Sequence, residues 1–195
     1  MIFQSQISSL GAGSSAQHPV PDIVTDRLEL IAITPAMLRA DFTRSPEFSQ
    51  LTLSNVPVNW PAEGWDEDAY NYLFTRMEKY ASSRGWSRYI AVKASDGGWR
   101  TLAGACGLTE PIELTDDPEI GYGLLPAFQR QGYATEAVAA LVAWIFEHPH
   151  IRSVNAQTFP GLQASLRVLA KNSFQYAGPG PGPEEGTVLF RRWRT

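Results

Sequence analysis

The chain has 195 residues, 44% of them hydrophobic and 18% charged, with a formal net charge of −4, which suits a compact domain and excludes a collagen, a coiled coil or a disordered chain. The longest apolar run, Ala137 to Phe146, ends at Glu147 and falls short of the roughly 18 to 20 residues of a membrane helix, so no membrane partner is expected. Arg and Lys are scattered apart from Arg191, Arg192 and Arg194, which argues against general nucleic-acid binding. Cys106 is a lone cysteine, and with only His18, His148 and His150 no metal-ligand spacing appears.

Met1 to Pro21 is rich in Gly, Ser, Ala and Gln and lacks the basic and apolar regions of a signal peptide. It reads as an N-terminal arm before a domain of residues 22–195, with a cytoplasmic location expected. Thr25 to Leu30 alternates polar and apolar residues as a half-buried strand does. Thr34-Pro35 opens a short helix that Ser45-Pro46 closes, and Leu51 to Pro61 reads as loop. From Gly64 to Ser82 the residues Tyr70, Leu73, Phe74, Met77 and Ala81 form one apolar stripe, so a helix is predicted there, ending at Arg84-Gly85.

Two strands follow, Ser87 to Ala94 and Arg100 to Thr109, joined by Ser95-Asp96-Gly97-Gly98 as a hairpin. Glu119 to Leu125 is a further strand, broken at Pro126. Ala134 to Glu147 is a helix with Val138, Leu141, Val142 and Ile145 aligned. Ile151 to Thr158 reads as a strand, Leu162 to Lys171 as a helix, Gly178 to Gly186 as a loop and Thr187 to Trp193 as a strand. Without internal repeats, this order describes one mixed α/β domain.

Gln129-Arg130-Gln131-Gly132-Tyr133-Ala134 lies between a strand and a helix. Gly132 is free to take conformations forbidden to other residues, and N–H groups at such a helix start can cradle a pyrophosphate. The same hexapeptide also suits an ordinary strand-to-helix turn. It is neither a P-loop nor a dinucleotide fingerprint. Cys106 alternates with Leu102, Gly104 and Leu108 and reads as a core residue. His148 and His150 read as capping residues at a helix end.

Glu119-Ile120-Gly121-Tyr122-Gly123-Leu124, followed by Gln129-x-x-Gly132-x-Ala134-Thr135-Glu136-Ala137, resembles the acetyl-CoA signature of the GNAT N-acetyltransferases. The likeness extends to Thr25, Arg27 and Leu28 and to Ala164 to Lys171, covering about Ile23 to Trp193. Among subgroups it is most similar to the RimJ/RimL-like ribosomal-protein N-terminal acetyltransferases, a set that also includes enzymes acting on free amino acids and small amines. Two positions depart from the pattern: Leu162 stands where Asn is usual, and Ser173 where Gly is usual.

The resemblance implies a single α/β (α+β) domain with a mostly antiparallel sheet of six to seven strands, splayed at the CoA site, and about four helices. It implies acetyl-CoA as co-substrate, with no metal, held by Tyr122, Gly123, Leu124, Gln129, Arg130, Gln131, Gly132, Tyr133, Ala134 and Thr135. The Leu124 N–H would also polarise the thioester carbonyl, Glu119 would act as base and Ser165 would stabilise or protonate the leaving thiolate. Tyr122 and Tyr133 are alternative hydroxyl donors.

An α-amine needs only about 1 kcal/mol to be neutral at pH 7 and a lysine about 4.6, so a modest base acting through water serves the first. Trp60, Trp65 and Trp86 are candidates to line an amine pocket. The acceptor is a primary amine on a small molecule, an amino acid or a protein N-terminus. A catalytically silent acyl-CoA-binding module and an interaction protein that keeps only the fold are the alternatives. Either a monomer or a homodimer fits, since Val188, Leu189, Phe190 and Trp193 can complete a sheet or meet a partner.

Overall fold

The computed structural model describes residues 20–62, 64–80, 85–110, 112–181 and 185–195. Residues 1–19, nearly all of the expected arm, and Arg84, in the expected helix end, lie outside the described residues. In chain order the elements are β1 (Ile23–Val24), β2 (Leu28–Ala32), α1 (Pro35–Phe42), α2 (Glu47–Thr52), β3 (Ser54–Asn55), α3 (Glu67–Lys79), β4 (Ser87–Val92) and β5 (Arg100–Leu108). They continue with β6 (Ile120–Leu124), α4 (Tyr133–Ile145), β7 (Ser153–Thr158), α5 (Gln163–Lys171), β8 (Gln175–Pro179) and β9 (Val188–Trp193).

Helices α1 and α3 start where side chains satisfy their first N–H groups. Thr34 accepts from the Met37 N–H at 3.2 Å ahead of Pro35, and Asp66 accepts from the Ala69 N–H at 3.0 Å. Glu67 and Asp68 at the start of α3 and Lys79 at its end oppose the helix dipole. This helix is therefore shorter than the stripe from Gly64 to Ser82 suggested. The region expected as loop from Leu51 carries the end of α2 and the two-residue strand β3, with Leu53 left-handed between them at φ 47°. Pro46 begins α2 as well as following α1, so there are five α-helices among the described residues where about four were expected.

The expected sheet of six to seven strands is present with six, and a smaller sheet of three strands accompanies it. The larger runs β1-β2-β4-β5-β3, with β6 also paired to β5, and the smaller runs β7-β9-β8. The β4–β5 hairpin is antiparallel as expected. β8 takes in Gly178 and Pro179, which had read as loop, and β9 is the central strand of the small sheet.

Helix α4 buries Ala137, Val138, Leu141, Val142 and Ile145 against one face of the large sheet. On the other face α1 to α3 pack through Leu38, Phe48, Tyr70, Leu73 and Met77. The strand pairing skips Ala103, for Ile90 pairs with Gly104 and Ala91 with Leu102. This bulge reverses the side-chain alternation. Leu102 thus faces the α1–α3 side and Cys106 the α4 side, which corrects the expectation that they share a face.

Candidate active site

The sheets touch at one point and then part. Glu119 bridges Asn155, and the Asn155 N–H donates to Pro118 O at 2.8 Å. Beyond this point β6 follows β5 while β7 follows β9, leaving a cleft. The Thr109 N–H donates to Glu119 O at 2.9 Å and the Leu125 N–H to Ala103 O at 2.8 Å. In an antiparallel ladder this parity spends the odd-numbered backbone groups of β6 on β5 and turns those of Tyr122 and Leu124 into the cleft.

The chain leaves β6 through one 3-10 turn, Pro126–Phe128. Gln129 Nε2 donates to Leu124 O at 3.0 Å and Gln131 Nε2 to Ala127 O at 2.8 Å, folding the loop onto itself. Arg130 and Gly132 are left-handed at φ 62° and 85°. Gly132 is the N-cap of α4 and brings no capping side chain, so the N–H groups of Tyr133, Ala134 and Thr135 lack intrahelical acceptors. Such a start with positive dipole character suits a phosphate.

Against this turn lies the segment before β2. The Arg27 guanidinium pairs with Glu136 at 2.6 Å, donates to Gln131 O at 3.0 Å and stands 4.7 Å from the Tyr133 ring centre. Thr25 Oγ1 donates to Glu136 at 2.6 Å and the Arg27 N–H at 3.0 Å. Partial burial raises the Glu136 carboxyl, but these hydrogen bonds and the guanidinium outweigh it and hold the group below its ordinary value.

Tyr122 Oη lies 3.0 Å from Ser165 Oγ, joining β6 to the first turn of α5. Burial raises the Tyr122 hydroxyl above its ordinary value, opposed by that hydrogen bond. Glu119 is half-buried at the mouth of the cleft, where Gln157 Nε2 donates to it at 2.6 Å. Burial raises its carboxyl, Gln157 pulls it back and Glu110 adds to the rise. Strand alternation puts the Glu119 side chain on the face of Gly121 and Gly123, opposite Tyr122.

On the Gly121 and Gly123 face a cavity of about 500 Å³ opens between α3 and the sheet, walled by Trp65, Tyr72, Leu73 and Leu108. Tyr72 donates its hydroxyl to Thr109 O at its edge. Of the three candidate tryptophans only Trp65 belongs here. Trp60 donates to the buried Asp41 at 2.8 Å beside a different cavity, and Trp86 stacks on Trp144 and His148 in the core.

His148 accepts the capping role, its Nδ1 lying 3.2 Å from Ile145 O. Burial pushes the Cys106 thiol up to about 12 against the opposing charge of Arg88, leaving it protonated and unfit as a nucleophile. Leu162 is 54% exposed at the start of α5, and Ser173 holds the left-handed φ of 61° that the usual glycine takes freely. Gln157 and Tyr72 were not anticipated; Gln157 is in β7, which reads as a strand of no special chemistry, and Tyr72 lies off the apolar stripe of its helix.

A family profile described as an acetyltransferase (GNAT) domain matches residues 27–175. A Bacillus subtilis protein named Uncharacterized N-acetyltransferase YoaA is 30% identical over 160 residues, spanning 81% of this chain and 85% of that one. FsC-acetyl coenzyme A-N(2)-transacetylase of Aspergillus fumigatus is 27% identical over 181 residues, spanning 87% of this chain and 75% of its own. Among solved structures, RimL, a ribosomal L7/L12 alpha-N-protein acetyltransferase in complex with coenzyme A, shares the fold with a TM-score of 0.57 at 21% identity, covering 89% of this chain and 98% of that one.

Proposed function

Because the chain belongs to the GNAT acetyltransferase family, we propose that it transfers an acetyl group from acetyl-CoA to the primary amine of a protein N-terminus, an amino acid or a small molecule, by direct attack in a ternary complex. The observation that carries this reading is the parting of β6 from β7 at Glu119, which turns the backbone of Tyr122 and the Leu124 N–H into the cleft beside an uncapped helix start. A pantetheine arm fits that gap as a strand would, and the N–H groups from Arg130 to Thr135 receive its diphosphate.

The Leu124 N–H takes the charge that develops on the thioester oxygen. The amine comes from the cavity on the opposite face, and Glu119 accepts its proton through water. Burial raises its carboxyl and makes it a better base than an ordinary glutamate. As the new N–C bond forms and the C–S bond breaks, Ser165 passes its proton to the departing sulfur and takes one from Tyr122, which solvent resupplies. No covalent enzyme intermediate is required.

Calorimetric titration with acetyl-CoA, with 3'-dephospho-CoA and ATP as controls, tests the donor. Selective binding of the CoA ester is expected, followed by acetylation within a panel of N-terminal peptides, amino acids and small amines. Lack of binding refutes the reading, and binding without transfer to any amine moves the chain to a silent acyl-CoA-binding module.

A further inference from the structure

The turn that receives the diphosphate in the proposed function is shaped by a residue 104 positions away from it in the chain. The Gln131 carbonyl accepts from Arg27 Nη1 at 3.0 Å. In a planar trans peptide the C=O and the following N–H point in opposite directions. Anchoring this oxygen on Arg27 therefore turns the Gly132 N–H away from the guanidinium, toward the side on which the diphosphate is proposed to lie. The same guanidinium lies over the Tyr133 ring, which steadies the first residue of α4.

The second part of the argument concerns charge. Glu136 is in the first turn of α4, where a carboxylate suits the helix but repels a phosphate placed at its start. Arg27 meets this carboxylate with Nε at 2.7 Å, Nη2 at 2.6 Å and its own backbone N–H at 3.0 Å, and Thr25 adds a fourth donor at 2.6 Å. A fork of this kind both fixes the carboxylate and cancels its charge.

We propose that Arg27 is a positioning residue for the acyl donor: by pinning the Gln131 carbonyl and neutralising Glu136, it makes the Gly132–Thr135 turn a phosphate site. Leu28 and Leu30, which follow it in β2, are buried in the core beneath α4, so the guanidinium is delivered by a fixed strand and not by a mobile loop.

The test compares acetyl-CoA with S-acetylpantetheine, a donor that lacks the diphosphate and nucleotide. For Arg27→Ala, the KM and Kd for acetyl-CoA rise about tenfold or more, kcat at saturation stays within about twofold, and kcat/KM with S-acetylpantetheine is unchanged. Adding Glu136→Gln recovers part of the loss, because the uncompensated carboxylate is gone. Arg27→Lys falls between wild type and alanine, since it keeps the charge without the fork, and it carries the test if the alanine variant does not fold.

Unchanged acetyl-CoA affinity in Arg27→Ala overturns the proposal, as do equal losses with both donors, the mark of a merely structural role. Wild-type protein that fails to bind acetyl-CoA overturns the functional reading and this proposal with it. Wild-type binding with an indifferent Arg27 overturns this proposal alone.

Discussion

Replacing Gly104 by alanine probes whether the spacing of β5 and β6 sets the position of the Leu124 N–H. A Cβ at Gly104 meets Leu124 Cα at 2.9 Å and Gly123 C at 3.0 Å, with the Gly123 carbonyl oxygen closer still. Ordinary contact begins near 3.4 Å, so β6 must yield by about half an ångström or more, and its neighbours here are backbone atoms with no rotamer to change. Overpacking of this kind costs about 1–3 kcal/mol. At about 2–4 °C per kcal/mol for a chain of this size, the melting temperature falls by about 2–12 °C.

The displacement also moves the Leu124 donor out of range of the thioester oxygen, and losing such a donor lowers kcat by about 100-fold or more. Gly121→Ala is the matched control. Its Cβ meets only Thr109 Cγ2, at 3.9 Å, so melting is unaffected, while the methyl enters the acceptor cavity and raises the KM for the amine. Differential scanning fluorimetry and steady-state kinetics on both variants decide the matter. A Gly104→Ala protein with wild-type melting and wild-type kcat refutes the close approach as the determinant.

With Glu119 as base, activity is low while its carboxyl is protonated and rises with pH through a value above the ordinary 4.5, because burial raises it; Glu119→Gln removes that limb from the pH–kcat profile, and an unaltered limb excludes Glu119. Ser165→Ala lowers kcat by about 100-fold or more as a lost proton donor does, and Tyr122→Phe by less, with acetyl-CoA affinity retained in both; normal single-turnover rates in Ser165→Ala remove it from the mechanism. Ser173→Gly relieves about 1–2 kcal/mol of left-handed strain against about 0.5–1 kcal/mol of added freedom in the unfolded chain. A net gain in a urea titration is therefore expected, and a loss shows that φ 61° costs Ser173 little.

Long elements were legible in the sequence because burial writes a period into them. Val138, Leu141, Val142 and Ile145 mark α4, and all four are fully buried. β3 escaped because two residues cannot show a period, and its parallel pairing with Arg100 and Thr101 depends on partners far along the chain. β8 escaped because Gly178 and Pro179 are turn residues held in a strand by β9. The facing of Leu102 was misread because the extra residue at Ala103 is visible only in the pairing.

At the site, the resemblance named Glu119, Tyr122 and Ser165, and the fold brings the last two within 3.0 Å. Of the three tryptophans expected at an amine pocket, Trp65 lines the cavity beside Gly121, whereas Trp60 and Trp86 were drawn elsewhere by Asp41 and by Trp144 and His148. No local pattern discloses that Arg27 meets Gln131 or that Glu119 meets Gln157, since each contact joins segments that only the folded sheet brings together.

The parting of the two sheets leaves the protein with an internal sheet edge that, on the proposed function, the acyl donor covers in place of a chain segment. Exposed edges invite pairing with other chains, but this one offers only alternate peptide groups of a five-residue strand, of which Leu124 O is already taken by Gln129. Occupancy of the cleft and integrity of the sheet are then thermodynamically linked: a donor at 100 times its Kd adds about 2.7 kcal/mol to stability. On the proposed function, the amides of Tyr122 and Leu124 exchange freely with solvent in the empty protein and become protected together when the donor fills the gap.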